Sequence, residues 1–166
     1  MTDVIRRGDL RVIAPPPGSA GDARLCLVLA VHTTGPAGAA APFVELALVH
    51  PHAELATSMD AVVPGTLCAT PYDIVVQADL RGVVWATTQV GQHVGRITTD
   101  TFNEISGLLG TDTSTSPSGV RVGLPLGEHC DRRWEFKVDE GRALDALTSD
   151  CTSQLIDDHA RVMFTS

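Results

Sequence analysis

The sequence lacks the features typical of membrane and exported proteins. No apolar run approaches the ~18 to 20 residues that a bilayer-spanning helix needs. The N-terminal segment MTDVIRRGD does not show the basic-then-apolar order of a signal peptide. These absences predict a cytoplasmic protein without a membrane segment.

Basic and aromatic residues are also scarce. Lys and Arg together number 12 against 20 Asp and Glu, which leaves a formal net charge of −8, and aromatic residues make up only 4%. Nonspecific DNA binding depends on Lys and Arg side chains that release counterions from phosphates. We therefore expect no direct DNA binding, although a local basic groove is compatible with this composition.

The cysteines are few and show no motif. Cys26, Cys68, Cys130 and Cys151 lie far apart and form no C-x-x-C pair, which favours reduced, mostly buried thiols over a disulfide scaffold. The sequence also lacks G-x-G-x-x-G, G-x-x-x-x-G-K-[ST], H-E-x-x-H and G-x-S-x-G. The sequence therefore does not support a nucleotide-binding fold or a zincin, and we expect no cofactor.

What the sequence does contain is a series of short β patterns. With 43% apolar residues among 166, the chain has enough apolar material for one compact domain. Pro- and Gly-rich loops separate six strand-like segments, at residues 8–14, 25–31, 43–49, 55–63, 73–78 and 83–87. Because no helical pattern intervenes, these segments predict a small antiparallel barrel or strongly curled sheet.

A helix closes this predicted barrel. A Thr-Thr-Asp cap at residues 98–100 precedes apolar residues at helical spacing, and Gly110 follows as a C-cap. Residues 1–110 therefore form the expected barrel domain. Residues 111–119 (TDTSTSPSG) have the composition of a linker.

The remainder of the chain reads as a smaller unit. Residues 120–124 and 134–138 resemble strands, and an apolar stripe from Asp139 onward predicts a final helix. Residues 120–166 are thus expected to form a ββα extension packed on the barrel. The predicted fold class is α+β, mostly β with minor α.

Two histidines, His50 and His52, lie at the end of the third strand pattern. Paired imidazoles suit metal ligation or acid-base chemistry, and they also suit an ordinary solvent-facing strand end. A zinc site needs further ligands, and the sequence provides none nearby. We therefore expect no metal.

Arg24 opens the most apolar strand pattern, directly after a loop of small residues. The guanidinium group offers a fork of donors that matches phosphate oxygens. A salt bridge to Asp22 or Asp9 is the alternative, and the sequence leaves both open.

The order of several features resembles a known family. Arg7-Gly8-Asp9 precedes a strand, a Pro-rich loop that ends in Gly18-Ser19, then Arg24 and the run LCLVLAV. The segment IVVQADLRGVVW (residues 74–85) then precedes VGRI (residues 94–97) and the capped helix. Over residues 4–110 this order is similar to that of the MazF/PemK toxin endoribonucleases.

The resemblance implies a SH3-like curled barrel, a homodimer and metal-independent cleavage of single-stranded RNA, with an antitoxin or other protein as partner. In the family, an Arg at the start of the second strand and a Thr or Ser at the end of the third act on the scissile phosphate. Arg24 matches the first role, while His50 and His52 stand in place of the hydroxyl. The resemblance also implies RNA contacts for Ser19, Arg81 and Arg96.

Two functions remain open at this stage. A histidine beside Arg24 is a competent acid-base group for RNA cleavage. Alternatively, loss of the hydroxyl leaves a catalytically silent protein of the same fold that inhibits or regulates a protein partner, for example one encoded by a phage or mobile element. A nuclease predicts that Arg24 and a histidine converge on an exposed concave face, whereas a silent binding protein predicts Arg24 in a salt bridge.

Overall fold

A computed structural model describes residues 3–33, 41–109, 111, 114–128 and 130–164. Within these ranges the chain forms seven strands: β1 (Asp9–Ile13), β2 (Arg24–His32), β3 (Phe43–His50), β4 (Asp60–Val63), β5 (Ile74–Trp85), β6 (Val90–Arg96) and β7 (Arg121–Val122). Three helices accompany them: α1 (Gly65–Cys68), α2 (Thr99–Leu109) and α3 (Arg133–Phe164). None of the helices in these ranges is long and apolar enough to cross a membrane.

The strands form one antiparallel sheet in the order β6-β1-β2-β3-β5-β4-β7. The mostly-β, α+β class is therefore confirmed. The barrel is not confirmed, because β6 and β7 are the two ends of this order and the sheet is not closed. Irregular pairing between β3 and β5 and between β1 and β6 interrupts the register, which increases local twist.

The sheet is buried on both faces, as the continuous apolar run of β2 predicts. One face packs against α2, through a core that includes Leu10, Leu27, Ala47, Val76, Ile105 and Leu108. The opposite face packs against α3, through a core that includes Ile13, Cys26, Leu46, Leu48, Leu144 and Leu147. Leu27 and Cys26 thus contribute to opposite cores from adjacent positions, which is the expected alternation of a strand.

The predicted capped helix is present as α2. The Thr98 hydroxyl accepts a hydrogen bond from the Thr101 backbone N–H at 3.2 Å, which satisfies one of the free donors at the helix start. Gly110, the expected C-cap, lies outside the described residues, as do residues 34–40 of the predicted loop. The expectation for the thiols holds, since Cys26, Cys68 and Cys151 are buried and Cys130 is exposed.

Three predictions about the middle of the chain were wrong. The segments at 73–78 and 83–87 belong to one strand, β5, because Gly82 and its neighbours continue the pairing with β3. Residues 55–63 are not one strand: a 3-10 turn at Ala53–Leu55 ends where this segment begins, and β4 covers only Asp60–Val63. β6 and α1 were not predicted; β6 is an edge strand with four exposed residues and no regular alternation of apolar and polar positions.

The prediction of a ββα extension was also wrong. Residues 134–138 are helical, because Asp131 caps the start of α3: its carboxylate accepts a hydrogen bond from the Arg133 backbone N–H at 3.1 Å. Hydrogen bonds from Arg133 and from the Gly127 backbone hold the pKa of Asp131 well below its ordinary value. Within the described part of residues 120–166, only Arg121–Val122 forms a strand, so this segment covers the sheet mainly through α3.

The only lysine of the chain, Lys137, attaches α3 to the sheet. Its ammonium lies 2.5 Å from the Asp60 carboxylate on β4 and 2.8 Å from Asp79 on β5. Asp60 is fully buried and also accepts hydrogen bonds from the backbone and hydroxyl of Thr57. Burial raises the pKa of Asp60, and the hydrogen bonds from Lys137 and Thr57 oppose that rise.

We expect Lys137→Met to lower the free energy of unfolding by about 3 to 5 kcal/mol, because it leaves a buried carboxylate without its cation. Chemical denaturation at neutral pH measures this change. Arg142→Met is the matched control: Arg142 pairs with Asp139 on the exposed face of α3, and its loss should change stability by less than about 1 kcal/mol. Equal losses for the two variants would contradict a structural role for Lys137.

Candidate functional site

Arg24 is engaged by helix α3. Its Nε atom lies 3.6 Å from the Glu140 carboxylate, and its side chain is 32% exposed. The sequence alternative of a salt bridge is therefore the one observed, although the partner is Glu140 and not Asp22 or Asp9. Glu140 is itself buried and accepts a hydrogen bond of 2.9 Å from the side-chain amide of Gln77.

His50 is buried at the end of β3, with 6% of its surface exposed. Its ring meets the Phe136 ring of α3 edge to face, with centroids 4.7 Å apart. Its Nδ1 accepts a hydrogen bond from the His52 backbone N–H at 3.1 Å, so in the neutral ring the proton resides on Nε2. Burial, followed by the charges of His52 and Lys137, lowers the pKa of His50 to about 4.

His52 differs from His50 in its surroundings. Its side chain is more than half exposed and lies 3.6 Å from the Glu54 carboxylate. The centroids of the two imidazoles are 6.1 Å apart. Among the described residues, no group of three or more His, Cys, Asp or Glu side chains is arranged to hold a metal ion.

Arg24 and His50 belong to the same end of the sheet. Cys26 on β2 pairs with Leu48 on β3, so Arg24 and His50, each two residues beyond this pair, lie at the same end of the two strands. Helix α3 covers this end: Glu140 contacts Arg24, and Phe136, one turn earlier, contacts His50. The two candidate catalytic residues are therefore neighbours beneath a helix and do not line an exposed concave face.

The same region contains polar atoms without partners. Within the described part of the chain, three buried side-chain atoms make no hydrogen bond: Arg24 Nε, His50 Nε2 and Gln77 Oε1. They belong to the neighbouring strands β2, β3 and β5, on the face that α3 covers. Sequence analysis missed Gln77, although a glutamine inside the otherwise apolar IVVQA segment was the available signal.

The predicted RNA-contacting arginines lie elsewhere. Arg81 pairs with Ala47 across β5 and β3 and lines a groove between the sheet and α2, together with Arg7. Arg7 and Arg96 line the adjoining pocket at the start of α2. We call the three exposed side chains Arg81, Arg7 and Arg96 the arginine track.

An aromatic ring lies within this track. The Arg7 guanidinium lies 4.1 Å from the centroid of Phe102, a cation–π geometry, and Phe102 lines both pockets. No described carboxylate lies within 4.0 Å of the Arg7 or Arg81 guanidinium, whereas Arg96 lies 3.7 Å from Asp9. Two of the three cations are thus available to an anionic ligand.

Ser19 is not part of the track. It lies in the loop between β1 and β2, exposed, and its hydroxyl donates to the Pro16 carbonyl at 2.8 Å. Arg81 and Arg96 therefore line two adjoining pockets that share Arg7. Arg24 and His50 lie elsewhere, at the end of the sheet that α3 covers.

Comparison with known proteins assigns no family. No family model matches this sequence, and a search of curated proteins finds no match. The resemblance to the MazF/PemK toxins therefore stays a prediction from the sequence.

The low pKa of His50 predicts an acid-sensitive fold. A histidine with a pKa near 6.5 when unfolded and about 4 when folded stabilises the native state above pH 6.5, and this contribution is lost as the pH falls toward 4. The loss amounts to about 3 kcal/mol. Unfolding free energies of wild type and His50→Gln, measured between pH 7 and 4, should diverge by about this amount.

An NMR titration of the His50 imidazole provides the direct check. The expected midpoint lies near pH 4. A midpoint near pH 6.5 would show that the ring is solvated and that α3 does not cover it.

Proposed function

We propose that this chain is a MazF/PemK-like protein that binds single-stranded RNA along the arginine track and does not cleave RNA while α3 covers Arg24 and His50. The observation that carries the proposal is the grouping of three exposed arginines around Phe102 in a chain of net charge −8. The curled barrel, the homodimer and the cytoplasmic location implied earlier belong to the same proposal.

The chemistry of the track suits a single strand. Guanidinium groups match phosphate oxygens with a fork of donors, and an Arg–aromatic pair offers a surface on which a base stacks. The groove between Arg7 and Arg81 has an apolar floor that includes Leu27, Leu29 and Val76. Glu45 also lines this groove and opposes an anionic ligand there. At physiological ionic strength the screening length is about 8 Å, so acidic residues farther away have little effect on the groove.

Cleavage is the second candidate function. The specific observation in its favour is that Arg24 and His50 lie at the same end of the paired strands β2 and β3, beneath α3. Attack of a ribose 2′-hydroxyl on the adjacent phosphate needs a cation for the developing charge and a group that moves a proton, and these two side chains have that chemistry. This function requires α3 to leave the sheet. Regulation of a protein partner, such as an antitoxin-like protein, is the alternative when no RNA binds.

We expect Arg7→Ala and Arg81→Ala each to weaken binding of a labelled single-stranded RNA about tenfold, because each removes one charge-assisted phosphate contact. Fluorescence anisotropy at several salt concentrations measures this. With about two phosphate contacts, log K should fall with log salt with a slope of about −1.4, and each variant should reduce the slope by about 0.7.

Arg142→Ala is the control for this experiment, because it removes an equal charge from the exposed face of α3, away from the track. It should leave affinity and salt slope nearly unchanged. Equal weakening by all three variants would mean that general charge, and not the track, attracts RNA.

For catalysis, we expect the wild-type chain to leave a long single-stranded RNA intact in the presence of EDTA, because Arg24 is paired and His50 is covered. Metal-independent cleavage that is lost in both Arg24→Ala and His50→Ala/His52→Ala would instead establish the endoribonuclease. Cleavage that persists in those variants would exclude these residues from the reaction.

A further inference from the structure

The groove between the sheet and α2 contains a carboxylate as well as arginines. Glu45 on β3 lines it together with Arg7 and Arg81. The Glu45 side chain is 48% exposed, so a ligand in the groove can reach it. An acid in this place weakens the attraction of a phosphate, because like charges repel. The presence of Glu45 therefore needs an explanation other than phosphate binding.

Glu45 is not paired with the arginine beside it. Ala47 pairs with Arg81 across β3 and β5, and Glu45 lies two residues before Ala47 on the same face of the sheet. Arg81 is therefore a diagonal neighbour of Glu45. It nevertheless donates its Nε–H to the Ala78 carbonyl at 2.8 Å, and no described carboxylate lies within 4.0 Å of its guanidinium. The groove thus keeps a cation and an acceptor that do not neutralise each other.

A histidine orients the Glu45 carboxylate. Nε2 of His32 on β2 lies 3.1 Å from Glu45 Oε1 and donates to it when this nitrogen bears the proton. The His32 ring is in turn stacked on Phe43, with centroids 4.4 Å apart and an interplanar angle of 12°. Within the described part of the chain, Glu45 Oε2 makes no hydrogen bond. One oxygen is thus held by the protein, and the other is open to a ligand.

We propose that Glu45 selects guanine when a single-stranded RNA lies in the groove: its carboxylate accepts the N1–H and one N2–H of the base, while Arg7 and Arg81 contact phosphates. This inference rests on the proposed RNA binding and adds the identity of the base. The groove has a volume of about 290 Å³, at the small end of ligand pockets, which suits one base.

The hydrogen-bonding groups of the four bases single out guanine. An ionised carboxylate only accepts hydrogen bonds, so it needs N–H groups. The Watson–Crick edge of an unpaired guanine presents two adjacent donors, and a carboxylate can accept both at once. Adenine and cytosine present an amino group beside a ring nitrogen that is an acceptor, and the single N–H of uracil lies between two carbonyl oxygens. Those acceptors face the carboxylate and repel it.

The test measures the affinity of the chain for a labelled uridine decamer and for the same strand with one central guanosine, inosine or adenosine. We expect wild type to bind the guanosine strand about tenfold tighter than the uridine or adenosine strand, the discrimination typical of a bidentate base contact. The inosine strand should lie in between, since inosine keeps N1–H but lacks the N2 amino group. Fluorescence anisotropy at one fixed salt concentration gives all four dissociation constants.

Glu45→Gln should reduce the guanosine preference to about threefold or less, because an amide oxygen replaces only one of the two acceptors. The variant should bind the uridine strand at least as tightly as wild type does, because a negative charge has left the groove. His32→Phe keeps a ring on Phe43 and removes the hydrogen bond to Glu45. As His32 is a positioning residue, this variant should lower the preference without changing the affinity for the uridine strand.

Glu54→Gln is the matched control. Glu54 is also a half-exposed acid beside a histidine, 3.6 Å from His52, but it lies outside the groove. The guanosine preference of this variant should equal that of wild type.

A guanosine preference that is lost in Glu45→Gln and kept in Glu54→Gln supports the proposal. Equal affinity of wild type for all four strands, or a preference that survives Glu45→Gln, overturns it while RNA binding by the groove stands. Failure of wild type to bind any of the strands overturns both. Guanosine 5′-monophosphate that competes at the same concentration as the guanosine strand would keep the guanine site and overturn its assignment to RNA.

Discussion

The docking of α3 on the sheet is the interaction on which the arrangement of the candidate site depends. Its first turns attach through charge, with Lys137 between Asp60 and Asp79 and Glu140 between Gln77 and Arg24. Buried ion pairs contribute little net stability against an apolar alternative, but they penalise misplacement heavily. Such contacts therefore determine where α3 lies more than how tightly it is held.

The sheet separates Arg81 from Arg24 and His50, which the family resemblance implied would act together on RNA. Arg7 and Arg81 line the α2 side, whereas Arg24, His50 and Gln77 lie beneath α3. One phosphate cannot contact both sets. A substitution in the groove on the α2 side therefore need not affect the cluster beneath α3, so the two proposed activities can be tested separately.

The elements predicted correctly are those whose signal lies within a short stretch of sequence. The apolar run of β2, the strand of β3 and the Thr98 cap of α2 were all readable, because each depends on a few adjacent residues. Residues 134–138 alternate aromatic and charged side chains as strands do, and only the Asp131 cap reveals the helix. The Gln77–Glu140 contact joins residues far apart in sequence, so no periodicity could reveal it.

The spacing of residues along α3 places its charged contacts and its apolar contacts with the sheet on one face of the helix. Lys137, Glu140, Leu144, Leu147 and Cys151 follow one another at intervals of three and four residues, so they form one stripe that faces the sheet. The charged and the apolar contacts share this stripe. A shift of α3 that buries the leucines but separates Lys137 and Glu140 from their partners on the sheet is therefore disfavoured. Gly82 permits the close approach, since a Cβ there would collide with Thr148. The same stripe also holds Phe136 against His50 and Glu140 against Arg24, so the docking of α3 determines how far these two side chains are covered.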